Sequence, residues 1–131
     1  RIYGAIAGAA RVLTHVNAPS LWQLVVARCV GQAADLSIYE RNAALLYDGL
    51  TALGFSCVRP QGAFYLFPQA LEPDDAAFCR RAQEYDLLLV PGRDFGCPSY
   101  FRAAYCVRSE VIEKALPHFD ELVKSYKRIN E

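Results

Sequence analysis

A single charged side chain, Arg102, lies within the apolar run from Tyr100 to Val107. The run follows a loop that Pro91-Gly92 opens. A guanidinium keeps its charge at physiological pH and presents a planar fork of N–H donors that matches a carboxylate at two points. The residues alone leave two interpretations open. Arg102 either lies at the rim of a sheet and pairs with a surface acid, or it binds an anionic ligand.

Other reactive side chains are few. His15 and His118 lie outside any nucleophile motif and are predicted to be structural. The cysteines are odd in number and include no CxxC pair, which favours a reducing compartment and argues against a zinc site. They are Cys29, Cys57, Cys79, Cys97 and Cys106. We expect them to serve as small hydrophobic side chains, and no metal site is predicted.

Composition limits the class of protein. Of the 131 residues, 53% are hydrophobic, which argues against a disordered segment. Basic and acidic residues are balanced at 14 each, so no nucleic-acid partner is predicted. No run approaches the roughly 18 apolar residues of a membrane span. Because the chain begins at Arg1 directly in an apolar helical pattern, we interpret it as a fragment of a longer protein.

Hydrophobic periodicity predicts five helices. Residues 1 to 13 have apolar side chains at helical spacing, and Leu21 to Val30 is apolar nearly all round, as expected of a helix that is buried or lies at an interface. Ser37 and Glu40 have the spacing of a capping box, so the third helix should begin there and end before Gly54. The last two helices are predicted to run from Asp74 or Asp75 to Tyr85, and from Ser109 onward.

Short apolar runs between these helices predict the strands. Four such runs occur, at Phe55–Arg59, Ala63–Phe67, Leu87–Val90 and Tyr100–Val107. The first two are close enough to form a hairpin. With helices packed on the sheet, the sequence predicts an α/β (α+β) fold around a small mixed or antiparallel sheet of about four strands.

Three motifs resemble those of class I and II aminotransferases, which use pyridoxal 5'-phosphate (PLP) and have the fold-type-I architecture. Residues 60–68, PQGAFYLFP, are similar to the family's PxGAFYLFP stretch, and residues 90–96, VPGRDFG, to its VPGxxFG loop. Residues 100–102, YFR, resemble the strand that follows. Residues 17–20, NAPS, also resemble an NPPS-like turn of the family. The motifs occur in the family's order, between about residues 15 and 125.

The resemblance implies roles for particular residues. Arg102 would bind the α-carboxylate of the substrate. Further substrate-binding positions would be Gly62, Phe64 and Tyr65. The turn near the dimer interface and the neighbouring active site would comprise Asn17, Pro19 and Ser20. Arg93 and Asp94 could belong to the site or could pair with each other in a solvated loop, and no role is assigned to them.

The resemblance also implies that the chain contains parts of two domains. Residues 1–35 would be a helical remnant of the large PLP-binding domain, and residues 36–131 the C-terminal small domain. The family needs a lysine that binds PLP covalently, with an amine that burial or neighbouring charge keeps reactive. Lys114, Lys124 and Lys127 all lie on the predicted terminal helix and lack that setting. PLP would therefore be bound mainly by an upstream domain, and no catalytic residue is expected in this fragment.

The expected activity follows from the same family. The parent protein would be a cytoplasmic, homodimeric PLP-dependent aminotransferase that transfers an amino group between an α-amino acid and a 2-oxo acid. The isolated fragment would be inactive. Two alternatives stay open. One is another fold-type-I PLP enzyme, a lyase or decarboxylase, and the other is a non-catalytic module that binds carboxylates or a partner protein.

Overall fold

A computed structural model describes residues 2–13, 17–33, 35–62 and 64–129. The chain divides into two compact units, Arg1–Ala34 and Asp35–Glu131, which we describe separately. Within the described residues, no helix is long and apolar enough to cross a membrane.

The first unit contains two helices, α1 (Ile2–Leu13) and α2 (Ser20–Cys29), as predicted. Pro19 lies just before α2, and its carbonyl oxygen accepts a hydrogen bond from the Gln23 amide at 3.1 Å. No residue of either helix is buried. The apolar side chains predicted to be buried or at an interface, Trp22 among them, are therefore exposed in this chain.

The second unit alternates helices with short strands. Its elements are α3 (Ser37–Ala52), β1 (Tyr65–Leu66), α4 (Asp75–Gln83), β2 (Val90–Pro91), a 3₁₀ turn (Gly92–Phe95), β3 (Phe101–Ala104) and α5 (Ser109–Ile129). The three strands form one antiparallel sheet in the order β1-β3-β2, so β3 is central. Tyr65 is paired with Ala104 on one side of β3, and Val90 with Arg102 on the other. The predicted α/β class is confirmed.

The strand predicted over Phe55–Arg59 does not form, so the sheet of the described residues has three strands and the expected hairpin is absent. This segment makes one backbone hydrogen bond to the later chain, from the Gln69 amide to the Ser56 carbonyl at 2.8 Å. Pro60 and Pro68 end the two predicted strands and have no N–H to donate to a ladder between them.

The predicted capping box of α3 also does not form. The residue before the helix, Leu36, makes no side-chain cap hydrogen bond. Instead the carboxylate of Asp35 accepts a hydrogen bond from the Ser37 amide at 2.9 Å. This backbone hydrogen bond, together with one from the Ser37 side chain, lowers the pKa of Asp35. In a capping box the Glu40 carboxylate would accept this amide, so Asp35 takes the place of Glu40 as its acceptor.

Aromatic rings fill the core beneath β3. Phe55 lies edge-on to Phe78, Phe101 and Phe119, with centroid distances of 6.3, 5.6 and 5.9 Å. Phe78 stacks on Phe101 at 4.9 Å, and neither ring is exposed. Because side chains alternate along a strand, burial of Phe101 directs Arg102 to the opposite face of the sheet.

A buried amide ties the end of β3 to two helices. The Asn42 side chain on α3 donates hydrogen bonds to the carbonyl oxygens of Tyr105 at 3.1 Å and Val107 at 2.7 Å. Its own oxygen accepts a hydrogen bond from the Ser109 hydroxyl at 2.7 Å. Ser109 begins α5 as predicted, but its hydroxyl binds Asn42. Asn42 therefore fixes the exit from β3.

The 3₁₀ turn is closed by hydrogen bonds at its first residue. The Gly92 amide donates to the Tyr100 carbonyl at 2.8 Å, and the Gly92 carbonyl accepts from the Cys97 amide at 2.9 Å. A Cβ on Gly92 would lie 2.6 Å from the Tyr100 carbonyl oxygen and closer still to that of Cys97. Glycine is required here because backbone occupies the space of a side chain.

Replacing Asn42 with alanine should lower the free energy of unfolding by about 3 kcal/mol, because two carbonyl oxygens would lose their buried donor. Ser109→Ala removes one hydrogen bond and keeps both donated by Asn42, so a loss of about 1 kcal/mol is expected. Urea denaturation measures both. A smaller loss for Asn42→Ala than for Ser109→Ala would contradict the role given to Asn42.

Gly92→Ala should destabilise the protein by about 3 kcal/mol, because the new methyl group would meet two backbone carbonyls that cannot move independently. Gly62→Ala is the matched control. A Cβ there would meet nothing within 4 Å, so a change within about 0.5 kcal/mol is expected. Equal melting temperatures for the two variants would show that the loop around Gly92 adapts freely.

Candidate functional site

Arg102 lies on the central strand, on the face turned away from the core. Its neighbours Phe101 and Ala103 are buried, whereas Arg102 is half-buried. β3 is paired on both sides, so Arg102 does not lie on an edge strand. The interpretation that places Arg102 at the rim of the sheet is therefore wrong.

Two aromatic rings enclose the Arg102 guanidinium. Its carbon atom Cζ lies 4.4 Å from the ring centroid of Tyr65 and 4.4 Å from that of Phe95. The Phe95 ring is supported by Phe67, which meets it edge-on at 5.9 Å. Rings over a guanidinium attract its charge and restrict its rotation, while its N–H groups stay available around the edge.

No acid among the described residues pairs with Arg102. The ion pairs of those residues join Arg93 to Asp74 and Asp75, and Lys124 to Asp120. The guanidinium also makes no side-chain hydrogen bond within the described chain. A half-buried cation with oriented donors and no internal acid is suited to bind an external carboxylate.

The loop that carries Phe95 is anchored by a buried carboxylate. Asp75 is fully buried and accepts hydrogen bonds from the Arg93 amide at 2.7 Å and from Arg93 Nε at 2.5 Å. The Arg93 guanidinium also contacts exposed Asp74. The side-chain hydrogen bond from Arg93 lowers the pKa of Asp75, against the opposing effect of burial. Arg93 thus pairs with these two acids and not with Asp94.

Gly62 and Phe64 contact a different set of residues. Gly62 lines a cleft of about 350 Å³ between the start of α3 and residues 59–62, and the Tyr105 hydroxyl donates a hydrogen bond to its carbonyl. The Phe64 ring meets Tyr39, another residue of the cleft, edge-on at 4.9 Å. Arg102 does not line this cleft. Of the predicted substrate-binding residues, the structure brings only Tyr65 against Arg102.

The two neighbouring aromatics Phe64 and Tyr65 both stay out of the core, at 38% and 42% exposed. They therefore do not form part of the core, and their place beside the substrate stays a prediction. Asn17, Pro19 and Ser20 belong to the first unit, where they are exposed and lead into α2. Their position at a dimer interface stays a prediction. His15 lies outside the described residues.

The lysines of this chain do not fit a covalent PLP site. Lys114, Lys124 and Lys127 are all exposed on α5. The Lys124 amine pairs with Asp120 one turn earlier on the same helix. Covalent attachment needs an amine that burial or a neighbouring charge makes reactive, and these exposed side chains lack the burial. The described lysines therefore do not provide the link to PLP.

Sequence reasoning missed two contributors to the site, Phe95 and Asp75. Phe95 lies inside the VPGRDFG motif, and that position could have indicated that it belongs to the site. The contact between Asp75 and Arg93 spans 18 residues and arises only when α4 packs beside β2.

Comparisons with known proteins identify the family of the chain. The family model for aminotransferase class I and II matches residues 5–119. Aspartate aminotransferase of Geobacillus stearothermophilus is 35% identical over 96 residues, which are 66% of this chain and 24% of that protein. Aspartate/prephenate aminotransferase of Thermus thermophilus is 40% identical over 83 residues, 62% of this chain and 22% of that protein.

A solved structure gives the same result. The crystal structure of an amino transferase from Eubacterium rectale matches with a TM-score of 0.87 and 46% identity, over 95% of this chain and 31% of that one. The chain spans about a quarter of the length of the curated relatives it matches. With a family match over most of its residues, the chain belongs to the aminotransferase class I and II family.

Proposed function

We propose that the protein containing this chain is a PLP-dependent aminotransferase that moves an amino group between an α-amino acid and a 2-oxo acid. The part of this chain is to bind the substrate's α-carboxylate through Arg102. One observation carries the proposal: the Arg102 guanidinium is held between two rings and has no acid partner among the described residues.

The geometry suits a carboxylate grip. The Tyr65 and Phe95 rings both pack against the guanidinium, whose N–H donors have no acid partner among the described residues. Two parallel hydrogen bonds to one carboxylate fix both its distance and its plane. A substrate held in this way has little freedom to rotate about its α-carbon. Holding the reacting bond in one orientation supplies a large part of an enzyme's rate.

We propose PLP as the cofactor because the chain belongs to the aminotransferase class I and II family. When bound, PLP would supply the electron sink that stabilises a carbanion at the α-carbon. Because the three lysines of this chain are exposed, we propose that the lysine bound to PLP lies outside these 131 residues. Residues 1–35 would belong to the large domain that holds PLP, and residues 36–131 would form the small domain.

The remaining site residues have weaker support. Tyr65 is proposed to shape the space beside the carboxylate, since it already contacts Arg102. Phe64 is proposed to face the substrate because it is 38% exposed. At Gly62 an added Cβ would meet nothing within 4 Å, which leaves room for a ligand.

The assembly and location are also proposals. Exposed apolar residues of α2, with Leu21 at 68% and Trp22 at 61%, support an interface in the complete protein. We propose a homodimer in which Asn17, Pro19 and Ser20 lie near that interface. All five cysteines are free thiols, which supports the reducing environment of the cytoplasm.

Arg102→Ala should raise the KM for the amino-acid substrate about 100-fold in the full gene product, because two charge-assisted hydrogen bonds are lost. PLP content should be unchanged. Arg102→Lys keeps the charge without the fork, so an intermediate KM is expected. Arg80→Ala, at an exposed arginine of α4, is the matched control and should leave KM unaltered. Steady-state kinetics and the PLP absorbance give all these values.

An unchanged KM in Arg102→Ala with PLP bound would contradict the carboxylate role. Product analysis separates the reaction types. An aminotransferase yields a 2-oxo acid and a new amino acid, whereas carbon dioxide release would indicate a decarboxylase. Failure of the full gene product to bind PLP would favour a non-catalytic binding module.

A further inference from the structure

The buried Asp75 carboxylate has a task other than starting its helix. Asp74 provides the cap of α4, since its side chain accepts a hydrogen bond from the Ala76 amide at 3.1 Å. Asp75 instead accepts hydrogen bonds from the amide and Nε of Arg93, a residue of another segment. Separating a buried charge from its partner is strongly destabilising, so the contact with Asp75 holds Arg93 in place.

Arg93 is the second residue of the 3₁₀ turn Gly92–Phe95. The start of this turn is attached to the chain before β3 through the hydrogen bonds of Gly92 with Tyr100 and Cys97. The bond from the Arg93 amide to Asp75 adds a second attachment, on α4. These two attachments together set the direction in which the turn presents Phe95.

Phe95 forms one of the two walls around the Arg102 guanidinium. The other wall, Tyr65, lies on β1, which is hydrogen-bonded directly to β3. Tyr65 therefore keeps its place as long as the sheet is intact. Phe95 comes from a turn outside any strand, so apart from its edge-on contact with Phe67 its position depends on what holds that turn.

We propose that Asp75 is a positioning residue for the Arg102 guanidinium, acting through Arg93 and the turn that carries Phe95. The inference rests on the proposed function, in which Arg102 binds the substrate carboxylate. Loss of the Asp75 charge would weaken the bond to Arg93 and release the turn. The guanidinium would keep its contact with Tyr65, lose its contact with Phe95, and gain rotational freedom.

The first test compares two paired acids in the PLP-loaded full gene product. Asp75→Asn keeps the shape of the side chain but removes the buried charge that Arg93 faces. We expect KM for the amino acid to rise about tenfold, with kcat within about twofold, because the defect lies in holding the carboxylate. Asp120→Asn is the matched control, because Asp120 pairs with Lys124 on α5 and not with Arg93. No change in KM is expected for this variant.

A double-mutant cycle then asks whether Asp75 acts through Arg102. In an Arg102→Ala background, Asp75→Asn should have no further effect on KM, because the group it positions is gone. An equal effect in both backgrounds would overturn the inference, as would an unchanged KM for Asp75→Asn when Arg102→Ala alone raises it.

Arginine side-chain NMR gives a readout that does not depend on activity. The Arg102 Cζ lies 4.4 Å from two ring centroids, so ring currents should shift the resonance of the neighbouring Nε–H proton. Asp75→Asn should move that resonance toward the values of exposed arginines, and Asp120→Asn should leave it in place. If Arg102→Ala has no kinetic effect, the carboxylate role fails, and this resonance alone decides the positioning role. An unmoved resonance in Asp75→Asn would overturn it.

Phe95→Leu keeps the test decisive if Asp75→Asn does not fold. This change removes one wall while it leaves the contact between Asp75 and Arg93 intact. It should raise KM and move the Arg102 resonance in the same directions as Asp75→Asn. No effect on either measurement would show that Phe95 does not hold the guanidinium, and the inference would fail.

Discussion

Alternation along the central strand β3 is the constraint on which the site depends. Phe101 is buried among three other phenylalanine rings, and that burial fixes which face of the strand its neighbour occupies. Arg102 must then point away from the core, whatever the local loops do. A slip of one residue in register would bury the guanidinium and expose Phe101, at a large cost in free energy. The hydrophobic core thus orients a polar binding group.

Polar contacts position the parts of the site that the hydrophobic core does not hold. Asn42 holds the exit from β3, and the glycine at position 92 lets the preceding turn pass close against the chain just before that strand. Asp75 and Arg93 attach that turn to α4. The contacts of Asn42 and Asp75 join segments far apart in sequence. The result is a sheet face on which one cation is oriented by two rings while its donors remain available.

Sequence patterns predicted the parts that depend on local chemistry. The helices and the strand of Arg102 follow from periodicity, and the role proposed for Arg102 follows from motifs in a fixed order. The strand over Phe55–Arg59 was wrong, because propensity cannot show that this segment finds one backbone hydrogen bond to the later chain and no ladder. The bond between Asp75 and Arg93 was missed because it depends on tertiary placement, which periodicity does not encode. The contact of Asp35 with Ser37 is local, but the capping-box pattern considers only Ser37 and Glu40.

The proposed recognition of the α-carboxylate by this chain is tested most directly by the visible absorption spectrum of the PLP-loaded full gene product. The protein is titrated with amino acids and with the matching amines that lack the carboxylate. The account predicts that certain amino acids shift the cofactor band, while their amines do so only at concentrations about 100-fold higher. Equal potency of an amino acid and its amine would contradict a carboxylate grip by Arg102.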